Sequence, residues 1–309
     1  MPDENSLGTS TGLIGRLFTL AGEVALVADY GRTSGLAICE ILLEAGATVV
    51  LAENDEVVCA TARSRFAAAG ERFRCVQVDH FDDAAVDRLF ADIDREFSRL
   101  DVFVSAFGYY TNGEFAAQDR KTYAHCLDIN LHLPIAYQQR AVDLMISRKI
   151  KGRIVSVSSI SVLVPVRNGN VAYSASRGAS ASAMRCIALD CAPAGIRANM
   201  ILCGNLQGDF VVYDPKTLDE LDGGTTTGPM TWPHRLPLGV GSLEDIAAAV
   251  LYLATPASGY VTGQCLQLEG GFVLALAAQH LPWHRYQPSV CPKATRHQVV
   301  MRMPADCNK

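Results

Sequence analysis

The sequence predicts a doubly wound α/β domain, a parallel sheet with helices on both faces. Three observations carry that prediction. Short apolar runs of Val, Leu, Ile and Ala recur along the chain, as strands buried on both faces require. A segment with helical spacing of its apolar residues follows most of these runs. The two signals alternate down most of the chain rather than clustering by type, which selects crossover-linked parallel strands.

Taken in order, residues 1–20 read as a polar lead-in arm. Val24–Ala28 is the first strand, followed by a helix from Gly35 to Glu44 that Gly46 stops at its C-terminal cap. Thr48–Ala52 is the second strand, ending at Glu53, and a helix runs from Asp55 to Ala69 before Gly70. Phe73–Val78 is the third strand, ending at Asp79. Val86, Leu89, Phe90, Ile93 and Phe97 then mark the buried stripe of an amphipathic helix. Val102–Val104 and Ile154–Val157 are further strands, separated by a long helical stretch through Asn130 and Pro134. A helix from Tyr173 to Cys191, a strand from Ile196 to Leu202, a helix from Glu244 to Ala254 and a strand from Cys265 to Leu268 complete the pattern. The domain is expected over 21–275. It is interrupted at about 205–240 by a segment with four prolines between Gln207 and Pro237, which reads as an irregular substrate lid. Residues 276–309 read as a basic, loosely ordered tail.

Composition excludes several classes. With 309 residues, 49% of them hydrophobic and 19% charged, the chain can bury a large core and is not intrinsically disordered. A net charge of -5 gives no phosphate-seeking surface, so no nucleic-acid partner is expected. No apolar run is long enough to span a bilayer, and the polar, acidic start does not read as a secretory signal; a cytoplasmic protein with no membrane partner is expected. The ten cysteines show neither Cys-x-x-Cys pairs nor ligand spacing with His, so they read as reduced, buried side chains rather than metal ligands.

The motifs resemble those of the short-chain dehydrogenase/reductase family over about residues 20 to 275. Ala28-Asp29-Tyr30-Gly31-Arg32-Thr33-Ser34-Gly35 stands where that family has Thr-Gly-x-x-x-Gly-x-Gly. Ser105-Ala106-Phe107-Gly108 stands for its Asn-Asn-Ala-Gly, and Asn130 for its structural asparagine. Gly152–Ser159 resembles the strand of the catalytic serine, and Tyr173-Ser174-Ala175-Ser176-Arg177 the Tyr-x-x-x-Lys signature. Gly195–Asn199 and Tyr260–Gln264, followed by Glu269-Gly270-Gly271, match the late segments. The resemblance implies a Rossmann-type fold, a small-molecule substrate, a homo-oligomer and a nicotinamide cofactor. Gly35, Glu53, Asp79 and Gly108 would be the cofactor-binding residues. An acid at 53 would favour NAD over NADP. Tyr173 would be the acid/base, Ser159 the partner polarising a carbonyl, Arg177 the charge beside the tyrosine, and Asn130 a structural member of the site. The spacing of 14 from Ser159 to Tyr173 is one longer than the family implies, which leaves Ser158 as a competing assignment.

The departures concentrate where a dinucleotide would lie. Asp29 and Thr33 replace the first two glycines of the turn, placing a carboxylate where a pyrophosphate would approach bare amides. Phe107 replaces a small residue and is expected to crowd the adenine side. Arg177 replaces a lysine with a planar fork of donors, and Cys203 replaces a proline. The leading reading is a divergent carbonyl/alcohol oxidoreductase acting on a small, hydrophobic specialised metabolite. Two alternatives stand beside it: an isomerase, dehydratase or cyclase that uses Tyr173 and Ser159 with no redox cofactor, and a catalytically silent scaffold or binding subunit.

Overall fold

The apolar runs do pair as parallel strands. A computed structural model describes residues 12–31, 34–111, 113–165, 169–204, 206 and 237–277. Among these residues a seven-stranded sheet has the order β3-β2-β1-β4-β5-β6-β7. The strands are β1 Val24–Ala28, β2 Thr48–Glu53, β3 Phe73–Gln77, β4 Val102–Ser105, β5 Arg153–Ser159, β6 Arg197–Cys203 and β7 Cys265–Leu268. Every pairing is parallel. The chain direction across the sheet reverses between β1 and β4, so the carboxyl ends of those two strands form the crevice where ligands of such sheets bind.

The helices are α1 Leu13–Leu17, α2 Ser34–Glu44, α3 Glu56–Arg65, α4 Asp83–Phe97, α5 Arg120–Leu127, α6 Leu133–Ser147, α7 Val171–Cys191, α8 Leu243–Ala254 and α9 Phe272–Ala277. Strand alternation splits the core in two. Leu26, Phe103, Ile154 and Met200 face a layer that includes Phe90 of α4, Met145 of α6 and Met184 of α7. Val27, Val104, Val155 and Ile201 face one that includes Leu42 of α2 and Val250 of α8. Local signals start and stop the helices as the sequence leads one to expect. Asp55 and Asp82 accept from the first-turn amides of α3 and α4, a full capping box opens α8 at Ser242 and Asp245, and Gly46 follows α2 at φ +97°.

Three expectations are corrected. The lead-in arm contains the short helix α1, whose residues are not buried. The helix expected over 55–69 ends at Arg65, because Phe66 turns inward against the Phe73 ring at 4.7 Å and a 3₁₀ segment kinked at Gly70 follows. The long helical stretch before β5 is not continuous. It opens into a π turn at Asp128–His132, since Pro134 has no N–H to return to the carbonyl of Asn130. After Gly271 comes the short helix α9, whose Phe272 is buried in the core. Residues 1–11 and 278–309, Thr33, and 207–236 of the expected lid lie outside the described residues. Leu206 bridges to Gly241, so the two ends of the lid segment meet beside the carboxyl end of β6.

Candidate functional site

The site is built where β1, β4 and β5 end and α7 begins. Tyr173 sits in the first turn of α7, 2% exposed, with its ring edge-on to Tyr110 at 5.1 Å. Four residues on, and so on the same helical face, the Arg177 guanidinium lies 5.3 Å from the centre of the Tyr173 ring. Arg177 is buried and donates from Nη1 to the carbonyls of Phe107, at 3.1 Å, and Val157, at 3.5 Å. Its Nε is buried with no acceptor, and no carboxylate pairs with it among the described residues. Arg177 is therefore neither an exposed helix charge nor a donor to the phenol oxygen: it acts on the ring face as a cation–π neighbour.

The serine strand closes on the same helix. Residue alternation along β5 puts Ser158 on the face of Ser156, which accepts from Gln138 of α6 at 2.9 Å. Ser158 Oγ is buried with no partner. Ser159 Oγ accepts from the Ser161 amide at 3.2 Å and so caps the 3₁₀ turn Ile160–Val162, which packs on α7. Asn130 stands in the π turn. Its Oδ1 accepts from the Tyr109 amide, and its Nδ2 donates to the Tyr109 carbonyl and to Ser176 Oγ, at 2.8, 2.8 and 3.0 Å. It thus clamps the segment after β4 to α7. Tyr109, Tyr110 and Tyr123 pack against the buried cluster of Tyr173, Ala172 and Cys126.

The residues expected to hold a cofactor are arranged differently from the expectation. Asp29 is 1% exposed, and its carboxylate accepts from the Tyr30 amide at 2.8 Å and the Gly35 amide at 2.9 Å, at the N-terminus of α2. Glu53 is 0% exposed and accepts from the amides of Gly31, Asn54 and Asp55 at 2.7 to 3.1 Å. Burial raises the Glu53 carboxyl above its ordinary value, and those amides oppose the shift. The Glu53 carboxylate, expected to hold a ribose, is thus turned onto its own backbone and away from solvent. Phe107 is also corrected. At 1% exposure it lies in the core against His80, at 5.0 Å, and Tyr137, at 5.3 Å, and it cannot crowd an open groove. Asp79 is exposed and accepts from the Phe81 amide. Gly108 is half-buried after β4. Cys203 is buried at the end of β6. Thr33 lies outside the described residues.

Sequence reasoning missed His80, Tyr30 and Tyr137. His80 Nε2 donates to the Asp29 carbonyl at 2.9 Å, which fixes the tautomer, and Nδ1 accepts from the Tyr137 hydroxyl at 2.7 Å. Burial lowers the His80 pKa to about 4. Tyr30 packs edge-on to Phe81 at 6.2 Å and tilted on His80 at 6.2 Å. Among the described residues of the turn, the amides of Tyr30, Gly31 and Gly35 already donate to carboxylates, and the Glu53 carboxylate faces inward. In this arrangement the residues do not fit a dinucleotide. Among the described residues there is also no cluster of side chains fit to hold a metal ion, and no helix long and apolar enough to cross a membrane.

Comparison with known proteins places this architecture. A family profile described as enoyl-(acyl carrier protein) reductase matches residues 32–273. A 3beta-hydroxysteroid dehydrogenase from Eggerthella lenta is 28% identical over 254 residues, covering 82% of this chain and 95% of the relative. A gluconate 5-dehydrogenase from Gluconobacter oxydans is 27% identical over 263 residues, covering 84% and 98%. Among solved structures, a gluconate 5-dehydrogenase from Burkholderia cenocepacia in complex with NADP and tartrate is 26% identical. It has a TM-score of 0.72 and covers 84% of this chain and 98% of that one. With the seven-stranded parallel sheet, these matches identify the chain as a member of the short-chain dehydrogenase/reductase family, a family of oxidoreductases.

Proposed function

We propose that the chain is an enzyme acting on the carbonyl or hydroxyl oxygen of a small, predominantly apolar molecule, with Tyr173 as the residue that exchanges the proton. The observation that carries this reading is the buried Tyr173–Arg177 pair beside the serine end of β5. A phenol whose ring is held against a fixed positive charge, on a helix packed against the turn that ends the serine strand, is suited to proton transfer there. Ser158, whose hydroxyl is without a partner, and Ser159 are the two candidates to polarise that oxygen. The tyrosines packed around Tyr173, namely Tyr109, Tyr110 and Tyr123, favour an apolar or aromatic substrate.

In the enolising form of the reaction, Tyr173 gives its proton to the carbonyl oxygen while the bond to an α-hydrogen breaks. Water carries that proton away and restores the phenol, so the substrate keeps its oxidation level. The test is α-hydrogen exchange in D2O, followed by NMR over a panel of cyclic ketones. The wild type is expected to accelerate exchange for some members, and Tyr173→Phe to lose at least about 100-fold of that rate. An unchanged rate in Tyr173→Phe would overturn the role given to Tyr173. Ser158→Ala and Ser159→Ala, run side by side, decide between the serines.

A second reading is favoured by the relatives, which include dehydrogenases of a hydroxysteroid and of gluconate: interconversion of a carbonyl and an alcohol with NAD or NADP. Its test is oxidation of NADH or NADPH in the presence of the same ketones.

A further inference from the structure

We infer that the crevice at the carboxyl ends of β1 and β4 is closed to dinucleotides by this chain's own side chains, with Asp29 and Glu53 serving as resident anions and Tyr30 as the cover. This inference is independent of the residue roles proposed at Tyr173, but it deepens that reading by selecting its redox-neutral form.

Five backbone amides of the turn and of the β2 end, those of Tyr30, Gly31, Gly35, Asn54 and Asp55, already donate to the two carboxylates. Anions are stabilised at a helix N-terminus by unpaired amides and by the helix dipole. At α2 the carboxylate of Asp29 takes that place. It lies so close to the Cα of Gly35 that a methyl group there would be 2.8 Å from its Cγ. A pyrophosphate would bring further negative charge to the same helix end and would find the amides of Tyr30, Gly31 and Gly35 occupied.

The turn is also braced from beneath, since His80 joins the carbonyl of Asp29 to Tyr137 of α6. Tyr30 covers the Glu53 side. Its hydroxyl is raised above the ordinary tyrosine value by burial first, and then by the charge of Asp79, by Tyr109 and by the charge of Glu53. The Tyr30 ring packs tilted on His80 and edge-on to Phe81, each at 6.2 Å, beside the amide of Gly31 that donates to Glu53. Phe81 continues the cover by stacking on His125 of α5 at 6.4 Å.

The test is titration of the full-length protein with NADH and with NADPH, read by nicotinamide fluorescence and by calorimetry. The wild type is expected to show no saturable binding up to millimolar nucleotide. Asp29→Gly, which frees the amides of Tyr30 and Gly35, is expected to gain binding by at least tenfold, and Tyr30→Ala is the second variant should Asp29→Gly not fold. Micromolar binding by the wild type overturns the inference. Binding absent from the wild type and from both variants overturns the role assigned to these side chains. Because the readout is binding, its failure is separable from failure at Tyr173, which the exchange assay reads without nucleotide.

Discussion

Gly35→Ala tests the packing of the rebuilt turn most simply. In this chain Gly35 is required by a side chain rather than by a bound phosphate. The added methyl would fall within contact distance of Asp29 Oδ2 and stand 2.8 Å from its Cγ and 2.9 Å from its Cβ. Asp29 is 1% exposed, so its carboxylate has no solvent to move into. Displacing it forfeits a charge-assisted hydrogen bond worth about 1.5–3 kcal/mol, and the overpacking adds about 1–3 kcal/mol. A loss of roughly 3–5 kcal/mol follows, on the order of 10 °C in Tm for a domain of this size. In an Asp29→Gly background the obstacle is gone, and the same substitution should cost less than about 1 kcal/mol, since Ala is the better helix former. Urea denaturation followed by circular dichroism on the four proteins of the cycle gives the coupling energy. A Gly35→Ala cost that is the same with and without the Asp29 carboxylate would refute this account of the turn.

Other consequences can be checked in the same proteins. His80 is neutral in the folded state, with its pKa lowered to about 4 from 6.5. The unfolded chain therefore binds the extra proton between those values, and stability should fall by roughly 3 kcal/mol as the pH drops through that window; a pH series of denaturation curves on His80→Gln should lose this part of the slope. Asn130→Ala removes both bonds to the Tyr109 backbone and the one to Ser176, and should cost about 2–4 kcal/mol in the same denaturation assay. Arg177→Met removes a buried cation that has no carboxylate partner among the described residues. Its stability should stay within about 1 kcal/mol of wild type, while the exchange rate at saturating ketone falls.

The central strands were legible because β1 and β4 are buried along their whole length and β2 and β6 along nearly all of it, so they read as apolar runs, whereas β3 and β7 at the sheet edges are largely unburied and were read from their place in the alternation. Val24–Ala28 and Cys265–Leu268 have the same bounds in sequence and structure. Pro134 marks an interruption before α6, but the π form it takes was not legible, because the accompanying reach of Asn130 to the backbone of Tyr109, 21 positions away, belongs to the folded chain. The site divides along the same line. Tyr173 and Arg177 are neighbours by helical spacing alone, so their contact could be read in advance. Glu53 could not be read, since an acid at a strand end looks the same whether it faces solvent, a ribose or its own backbone. Asp29 was recognised as a charge hostile to phosphate, but its partners, the amides of Tyr30 and Gly35, belong to the folded turn. His80 carries no sequence signal for its place between the Asp29 carbonyl and Tyr137.

The central claim is that Tyr173 works beside a crevice that its own protein has filled. The direct measurement is the rate of ketone α-hydrogen exchange by protein stripped of all nucleotide, compared with the same protein supplied with millimolar NADH or NADPH. The account predicts equal rates and no consumption of reduced nucleotide. Exchange that appears only with nucleotide, or nucleotide oxidation that tracks ketone loss, would contradict it.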